Sequence, residues 1–322
     1  MMHSKNTAII LVTYNGWQLT ENCLKDLSPL TECKGSENFV IAVVDNGSSD
    51  GTVENIRKEF PQVHIYPQAS NLGFGVANNA AIKGLMEDGI KFDTICLLNN
   101  DTRFEANAII QLRKDFDFAM SHSEIGVTNC VMVPTILNAD GSQQNNYFAG
   151  LGPDGIGYTQ FILNAFRSQA AAARVLEGIP ARTNVERFEQ VHWASAVCWM
   201  LSAELWNRVG GFDHNIFMYY EDADLALRLR SAGARFYLSK RCAITHLGGG
   251  SAKSSFSRAL QHDLSQQYVF KKHFGIRGLM LSKFFRILRS SFRAVATLPH
   301  LGSAEKRQYF KHHLALLKEA LL

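Results

Sequence analysis

The chain has 322 residues, 46% of them hydrophobic and 11% aromatic, enough apolar material for a substantial core, so intrinsic disorder is excluded as its default state. Six cysteines (Cys23, Cys33, Cys96, Cys130, Cys198, Cys242) form no CxxC pair and no metal-ligand spacing, and several lie in apolar runs, which points to buried free thiols in a reducing compartment. From residue 252 onward 13 Lys/Arg face 3 Asp/Glu, leaving 20 of the 33 basic and 26 of the 29 acidic residues before that point, so the two parts are expected to meet different partners.

Thr7 to Val12 is apolar but too short for a signal peptide or a membrane span, which makes the cytoplasm the expected location. Residues 7–13 and 39–45 are short β-branched runs suited to strands buried on both faces of a parallel sheet. Helical patterns cover 18–27 and 51–60, the second with Ser49 or Asp50 as N-cap, and a third covers 76–86. Residues 94–98 predict another buried strand, running into Asn99, Asn100 and Asp101. This alternation predicts a doubly wound α/β domain. The segment 136–190, rich in Gly, Asn, Gln and Ser, is expected to form loops or a lid. A strand-like run at 191–201, a short helix at 204–209 and a turn at Gly210–Asp213 follow. Glu221, Asp222 and Asp224 then stand at the entrance of a helix over 225–232 that Gly233 stops. Residues 235–238 and 241–245 predict two final strands, the second delivering His246 just before Gly248, Gly249 and Gly250.

Ligand crevices of open parallel sheets lie at the carboxyl ends of strands, and Thr13–Asn15, Asp45–Ser49 and Asn99–Asp101 each follow one. In isolation Asn99-Asn100-Asp101 is a helix-capping turn, and DNGSSDGT is a good turn whatever its function; three matching strand ends favour a ligand site. Gly73, Phe74 and Gly75, followed by Ala77, Asn78 and Asn79, let backbone approach a ligand at a helix start where the dipole favours anions, although no GxGxxG or GxxxxGK[ST] pattern occurs. Asp224 fits an ordinary ion pair with Arg228, whereas Glu221 and Asp222 follow an apolar wall at 217–220 that should desolvate a carboxylate toward a useful base. His246 is either a core or surface histidine or a metal or phosphate ligand.

Six blocks in order, ILVTYNG (10–16), VVDNGSSDGT (43–52), NLGFGVANN (71–79), LLNND (97–101), GGFDHNIFMYYEDADLALRLRSAG (210–233) and THLGGGS (245–251), resemble the family 2 glycosyltransferases, inverting enzymes of the GT-A fold, over about residues 7–250. The resemblance implies a Rossmann-like, mostly parallel sheet flanked by helices in a catalytic domain at 1–251, with a nucleotide-binding half to about 101 and an acceptor half beyond, and a basic helical appendage at 252–322. It implies that Thr13, Tyr14, Asn15, Asp45, Gly73, Phe74, Asn78, Asn99, Asn100 and Asp101 surround a nucleotide-diphosphate sugar. It further implies that Asp222 is the catalytic base and that Asp101, in place of the last acid of the family's DxD motif, holds Mg²⁺ or Mn²⁺ together with His246. Asn99 stands where that motif has its first acid, so the cation has fewer anionic ligands than the family pattern provides. Trp193, Ser195 and Glu221 are candidates for the acceptor or sugar pocket. The QxxRW block of the processive members is absent, which predicts one sugar per binding event. LLNND, GGFD and YYEDADL look most like rhamnosyltransferase-type members that build O-antigen or other cell-surface polysaccharides. dTDP-L-rhamnose is therefore the first expectation for the donor, with UDP-galactofuranose, UDP-glucose, UDP-galactose and GDP-mannose as alternatives. The rival readings are a nucleotide-sugar nucleotidyltransferase, whose glycine-rich loop after the first strand is lacking, and a non-catalytic membrane-bound scaffold.

From 269 to 301 aromatic and aliphatic residues alternate with seven cations, a composition suited to peripheral contact with the anionic inner face of a cell membrane and a lipid-linked acceptor, without an apolar stretch long enough to span. A pair of helices packed on the catalytic domain is the alternative, and no motif supports nucleic-acid binding.

Overall fold

The computed structural model describes residues 5–31, 37–121, 129–144, 146–148, 187–248 and 255–297, with six isolated positions between 307 and 318. The described residues fall into two compact units, one built from residues before 149 together with 187–217 and 221–248, the other from Met218–Tyr220 and residues 255–297.

The first unit is a layered α/β structure. Its strands are β1 (Lys5–Thr13), β2 (Glu37–Asp45), β3 (His64–Pro67), β4 (Thr94–Asn99), β5 (Thr102–Arg103), β6 (Cys130–Leu137), β7 (Tyr147–Phe148), β8 (Phe188–Val191), β9 (Trp193–Ala194), β10 (Cys198–Ser202) and β11 (Arg235–His246). Its helices are α1 (Trp17–Thr31), α2 (Thr52–Glu59), α3 (Phe74–Glu87), α4 (Ala106–Ser121), α5 (Ala203–Val209) and α6 (Glu221–Ser231). The main sheet has the order β3-β2-β1-β4-β10-β6-β11-β5, with β8 added to β11. It is parallel from β3 to β4, as the buried β-branched runs require. Beyond β4 it is mixed, because β10 runs antiparallel to both β4 and β6.

Alternation along β1 shows how the core is divided. Ile9 and Leu11 point to the layer of α1 and α4, with Leu24, Leu27, Leu112 and Phe116, while Ala8 and Ile10 point to the layer of α3, α5 and α6, with Ala81, Leu85, Trp206 and Leu229. Each such buried aliphatic side chain contributes roughly 1.5–3 kcal/mol relative to exposure. Five cysteines are buried free thiols, as expected; Cys33 lies outside the described residues.

Three sequence expectations change. The run 191–201 is broken into β8, β9 and β10 rather than forming one strand. The two strands expected at 235–238 and 241–245 are one strand, β11, whose register against β6 shifts between Ser239 and Ala243, so the polar break in the pattern is a bulge and not a turn. Most of the lid expected at 136–190 lies outside the described residues, and within it β6, β7 and β8 account for parts of both ends.

The second unit contains α7 (Ser255–Thr297), which is interrupted at Gly275 (φ 65°, ψ −157°). An unbroken helix would hold Asp263 and Arg286 about 35 Å apart. Their side chains instead form a fully buried ion pair at 3.1 Å, and Ser282 Oγ donates to Gln266 Oε1 at 3.3 Å, so α7 is a hairpin of two helical arms. Gly275 supplies a left-handed backbone that most side chains resist. Among the described residues no helix is long and apolar enough to cross a membrane.

Candidate active site

Register places three strand ends level with one another: Thr13 pairs with Asp45 across β1 and β2, and Val12 with Asn99 across β1 and β4. Strand order reverses direction around β1, and the crevice forms at this switch point. Asp45 is 2% exposed; its Oδ2 accepts the Ser48 N–H at 2.9 Å, while Oδ1 is buried without a partner. Asn15, left-handed at φ 47°, accepts the Ser49 N–H through its side-chain oxygen, and Ser48 Oγ accepts the Asn15 N–H, each at 2.8 Å. Asn15 therefore fastens the loop after β1 to the loop after β2. Tyr14 beside it is 44% exposed and offers an aromatic face at the crevice mouth.

Not every expected ligand residue faces the crevice. Thr13 is 1% exposed and accepts a hydrogen bond from Thr20 Oγ1 at 2.8 Å; Asn100 Nδ2 donates to the same Thr20 hydroxyl at 2.9 Å, so Thr13 and Asn100 form a buried knot under the site. Asn78 gives its side-chain N–H to the Phe74 carbonyl one turn back, at 2.9 Å. Phe74 packs edge-on against Phe212. Gly73, at φ 84°, lies so close to Phe217 that a Cβ there would come within 1.9 Å of its carbonyl oxygen. Any side chain at 73 would push Phe217 away.

Asp101 and His246 are brought together. β5 pairs with the end of β11 (His246 with Thr102), the Leu247 N–H donates to the Asp101 carbonyl at 2.9 Å, and the His246 Nε2 to Asp101 Oδ1 distance is 3.2 Å. Gln144 Oε1 holds the other ring nitrogen at 2.9 Å, orienting the imidazole. Asn99 Oδ1 is buried with no partner. A carboxylate, an imidazole and an orphaned amide oxygen fit a hard divalent cation that takes its remaining ligands from a diphosphate and water. Among the described residues no cluster of three or more His, Cys, Asp or Glu is assembled to hold a metal by itself.

Asp222 stands at the start of α6, where its Oδ1 accepts the Ala223 N–H at 2.8 Å and its Oδ2 accepts the Ala196 N–H at 3.3 Å. The Val197 carbonyl next to Ala196 accepts the Asn99 N–H at 2.9 Å. Two adjacent residues thus tie the Asp222 carboxylate to the end of β4, the strand that runs into Asp101. The same turn carries Ser195, whose N–H donates to the Asn146 carbonyl at 2.7 Å and whose carbonyl accepts Trp199 Nε1–H at 2.9 Å, while Trp193 sits on β9 paired with Phe148. Asp224 makes the expected pair with Arg228, at 2.7 Å.

Glu221 is buried, with Oε2 unpartnered, and burial followed by the neighbouring Asp222 charge pushes its carboxyl up to about 8. Two adjacent carboxyls are thereby separated: Glu221 keeps its proton at neutral pH, and Asp222 is held by backbone N–H groups. The folded value lies above the ordinary 4.5, so the folded state binds the proton more tightly and stability falls as pH rises from about 4.5 through 8. Glu221→Gln is expected to melt at a higher temperature than the parent at pH 8.5 and at nearly the same temperature at pH 5; equal melting curves at both would refute the assignment.

Two long-range tethers at the site are not foreseen from the sequence. Asn46, 3% exposed, donates to Asn71 Oδ1 and the Gly73 carbonyl and accepts the Leu72 N–H, pinning the glycine loop to β2. Asn79 clasps Phe212, accepting its N–H and donating to its carbonyl, each at 2.9 Å. Both bonds join residues far apart in the chain, where only the recurrence of Asn in polar blocks gives a signal. A separate depression of about 820 Å³ is lined by Arg103, Lys114, Arg241 and Thr245 rather than by these residues. Its two arginines are already paired with Asp26 and Asp115.

Residues 8–148 match the model of the family described as Glycosyl transferase family 2. The chain is 29% identical to the N-acetylglucosaminyl-diphospho-decaprenol L-rhamnosyltransferase of Mycobacterium tuberculosis, covering 88% of this chain and 94% of that one. Its fold is similar to that of S. aureus TarS 1-349 (TM-score 0.53, 13% identity, 98% of this chain and 80% of that one). It is also similar to the mannosyltransferase PcManGT of Pyrobaculum calidifontis, solved with GDP-Man and Mn²⁺ (TM-score 0.54, 13% identity, 98% and 85%). These likenesses show the GT-A fold.

Proposed function

We propose that this chain, a glycosyltransferase of family 2, moves one L-rhamnose from dTDP-L-rhamnose onto a lipid-linked saccharide destined for a cell-surface polysaccharide. The carrying observation is that buried polar oxygens without partners, Asp45 Oδ1, Asn99 Oδ1 and Glu221 Oε2, lie at the strand ends and helix start where donor and acceptor would meet. Buried polar atoms are rarely left unpaired in a finished structure, which supports a polar ligand at these three. The sugar and acceptor class are suggested by the mycobacterial relative, whose name specifies both.

In this mechanism Asp222 accepts the proton of the acceptor hydroxyl as it attacks the anomeric carbon, and the carbon–oxygen bond to the diphosphate breaks on the opposite face. Asp45 binds a donor group of the nucleoside, Tyr14 covers it, and the backbone at Gly73 admits the sugar diphosphate. Glu221, protonated, donates to an acceptor or sugar oxygen. Asp101 and His246 would hold Mg²⁺ or Mn²⁺, which supplies counter-charge to the departing nucleoside diphosphate. Incubation with Mn²⁺, a lipid-diphosphate saccharide and the panel of dTDP, UDP and GDP sugars tests the reading: dTDP release with rhamnose supports it. Release of another nucleoside diphosphate reassigns the donor, and release from no sugar sinks it.

In the second unit, α7 carries a surface suited to lipid. On its second arm Ile276, Met280, Phe284, Leu288 and Phe292 recur every fourth residue and are all exposed, with Lys271, Lys272, Arg277 and Lys283 close by in the chain. That pairing of apolar stripe and cations fits an anionic lipid surface, where each cation adds about 1 kcal/mol. The protein is expected to sediment with phosphatidylglycerol vesicles and not with phosphatidylcholine ones. Ile276→Ser with Met280→Ser and Leu288→Ser should weaken that binding at least tenfold; unchanged sedimentation would remove the stripe from the account.

A further inference from the structure

Two consecutive tyrosines, Tyr219 and Tyr220, have left-handed backbone at φ 65° and 63°. The conformation crowds Cβ against the carbonyl oxygen, so a pair of bulky residues adopts it only where the surroundings leave no alternative. The pair lies immediately before Glu221 and Asp222. Upstream, Phe217 is fixed by its close approach to Gly73; downstream, Glu221 begins α6. Between those anchors, Met218–Tyr220 belongs to the same compact unit as α7.

The grip on this tripeptide comes from α7 and is polar. Ser265 Oγ donates to the Met218 carbonyl at 2.7 Å, and Gln266 Nε2 donates to the Tyr220 hydroxyl at 2.7 Å. Ser265 is 4% exposed and Gln266 1%. The Tyr220 ring stands edge-on to His262 and Phe270, and Tyr219 tilts over His262. Gln266 is braced in turn by Ser282 from the returning arm, beside the buried Asp263–Arg286 pair. Apolar side chains would suffice to fill space here. Two buried donors aimed at one carbonyl and one phenol instead select a single backbone path.

We propose that Ser265 and Gln266 are positioning residues for Asp222: by holding 218–220 in its strained path, the α7 hairpin sets the angle at which the Glu221–Asp222 pair enters α6. The inference rests on the reading of Asp222 as the base. Small misplacements of a reacting group cost about 100-fold, whereas Asp45 and Asn15 on the donor side are held by hydrogen bonds of their own.

The test is steady-state kinetics on the full chain with Ser265→Ala, Gln266→Ala, Ser265→Thr and Tyr220→Phe. Ser265→Ala and Gln266→Ala are expected to lower kcat 10- to 100-fold with donor KM within twofold of the parent. Ser265→Thr, which keeps the hydroxyl, should restore most of kcat, and Tyr220→Phe, which keeps the ring and removes the acceptor of the Gln266 bond, should reproduce the Gln266→Ala loss. Normal kcat in folded Ser265→Ala and Gln266→Ala, with Asp222→Asn inactive, would overturn the positioning role and leave the base reading intact. Parallel losses of kcat, donor affinity and melting temperature would overturn it in favour of plain packing. Turnover in Asp222→Asn would overturn both.

Discussion

Asp222→Asn should abolish sugar transfer, by roughly 10²–10⁴-fold or more in kcat, while leaving donor binding intact. The change removes the proton-accepting charge and one of two backbone contacts. The single asparagine oxygen can keep the Ala196 N–H, which preserves the tie between α6 and the end of β4, while the Ala223 N–H at the helix start loses its side-chain acceptor. No donor-side contact is altered, because Asp45, Asn15 and the Gly73 loop are held by their own hydrogen bonds. Glu221 is not a substitute base: it is buried and protonated at neutral pH, and without the Asp222 charge its carboxyl would titrate lower but remain enclosed. Nucleoside diphosphate release measures the loss, and the melting-temperature rise produced by saturating donor measures the binding that remains. Near-normal turnover would end the assignment of Asp222.

Much of this arrangement was legible in the residues. β1, β2 and β4 are short apolar runs buried on both faces, and local pattern suffices to find them along with the polar ends they carry. The junctions were less legible. The polar SKR break in β11 has the composition of a turn, yet the chain continues as a bulged strand because β6 supplies a partner on both sides of it. Thr13 and Asn78 have the right chemistry for a ligand, but Thr20 and the Phe74 carbonyl take their polar atoms first, a competition that only tertiary contact decides. The hairpin in α7 was hidden for a similar reason: helical periodicity continues on both sides of Gly275, and the evidence of reversal is the pairing of Asp263 with Arg286.

Asp101→Ala is expected to produce the second-largest loss, roughly 10²–10³-fold in kcat/KM, the range for removing a group that stabilises developing charge. Asn99 sets the size of the effect. In LLNND the neutral amide leaves Asp101 as the only carboxylate of the block, so its removal takes the carboxylate out of the proposed cation site and leaves His246 with Gln144 as its partner. A cation held by an imidazole and an amide oxygen alone binds weakly, since Mg²⁺ and Mn²⁺ prefer carboxylate oxygen. The nucleoside diphosphate should then lose the part of its affinity that depends on the cation. Melting-temperature shifts with dTDP, measured with Mn²⁺ and with chelator, separate the two contributions: the parent should show a larger shift with Mn²⁺, and Asp101→Ala the same small shift in both. If the variant keeps the full Mn²⁺-dependent shift, the cation is held by other groups, and Asp101 serves only to orient His246 through their 3.2 Å contact.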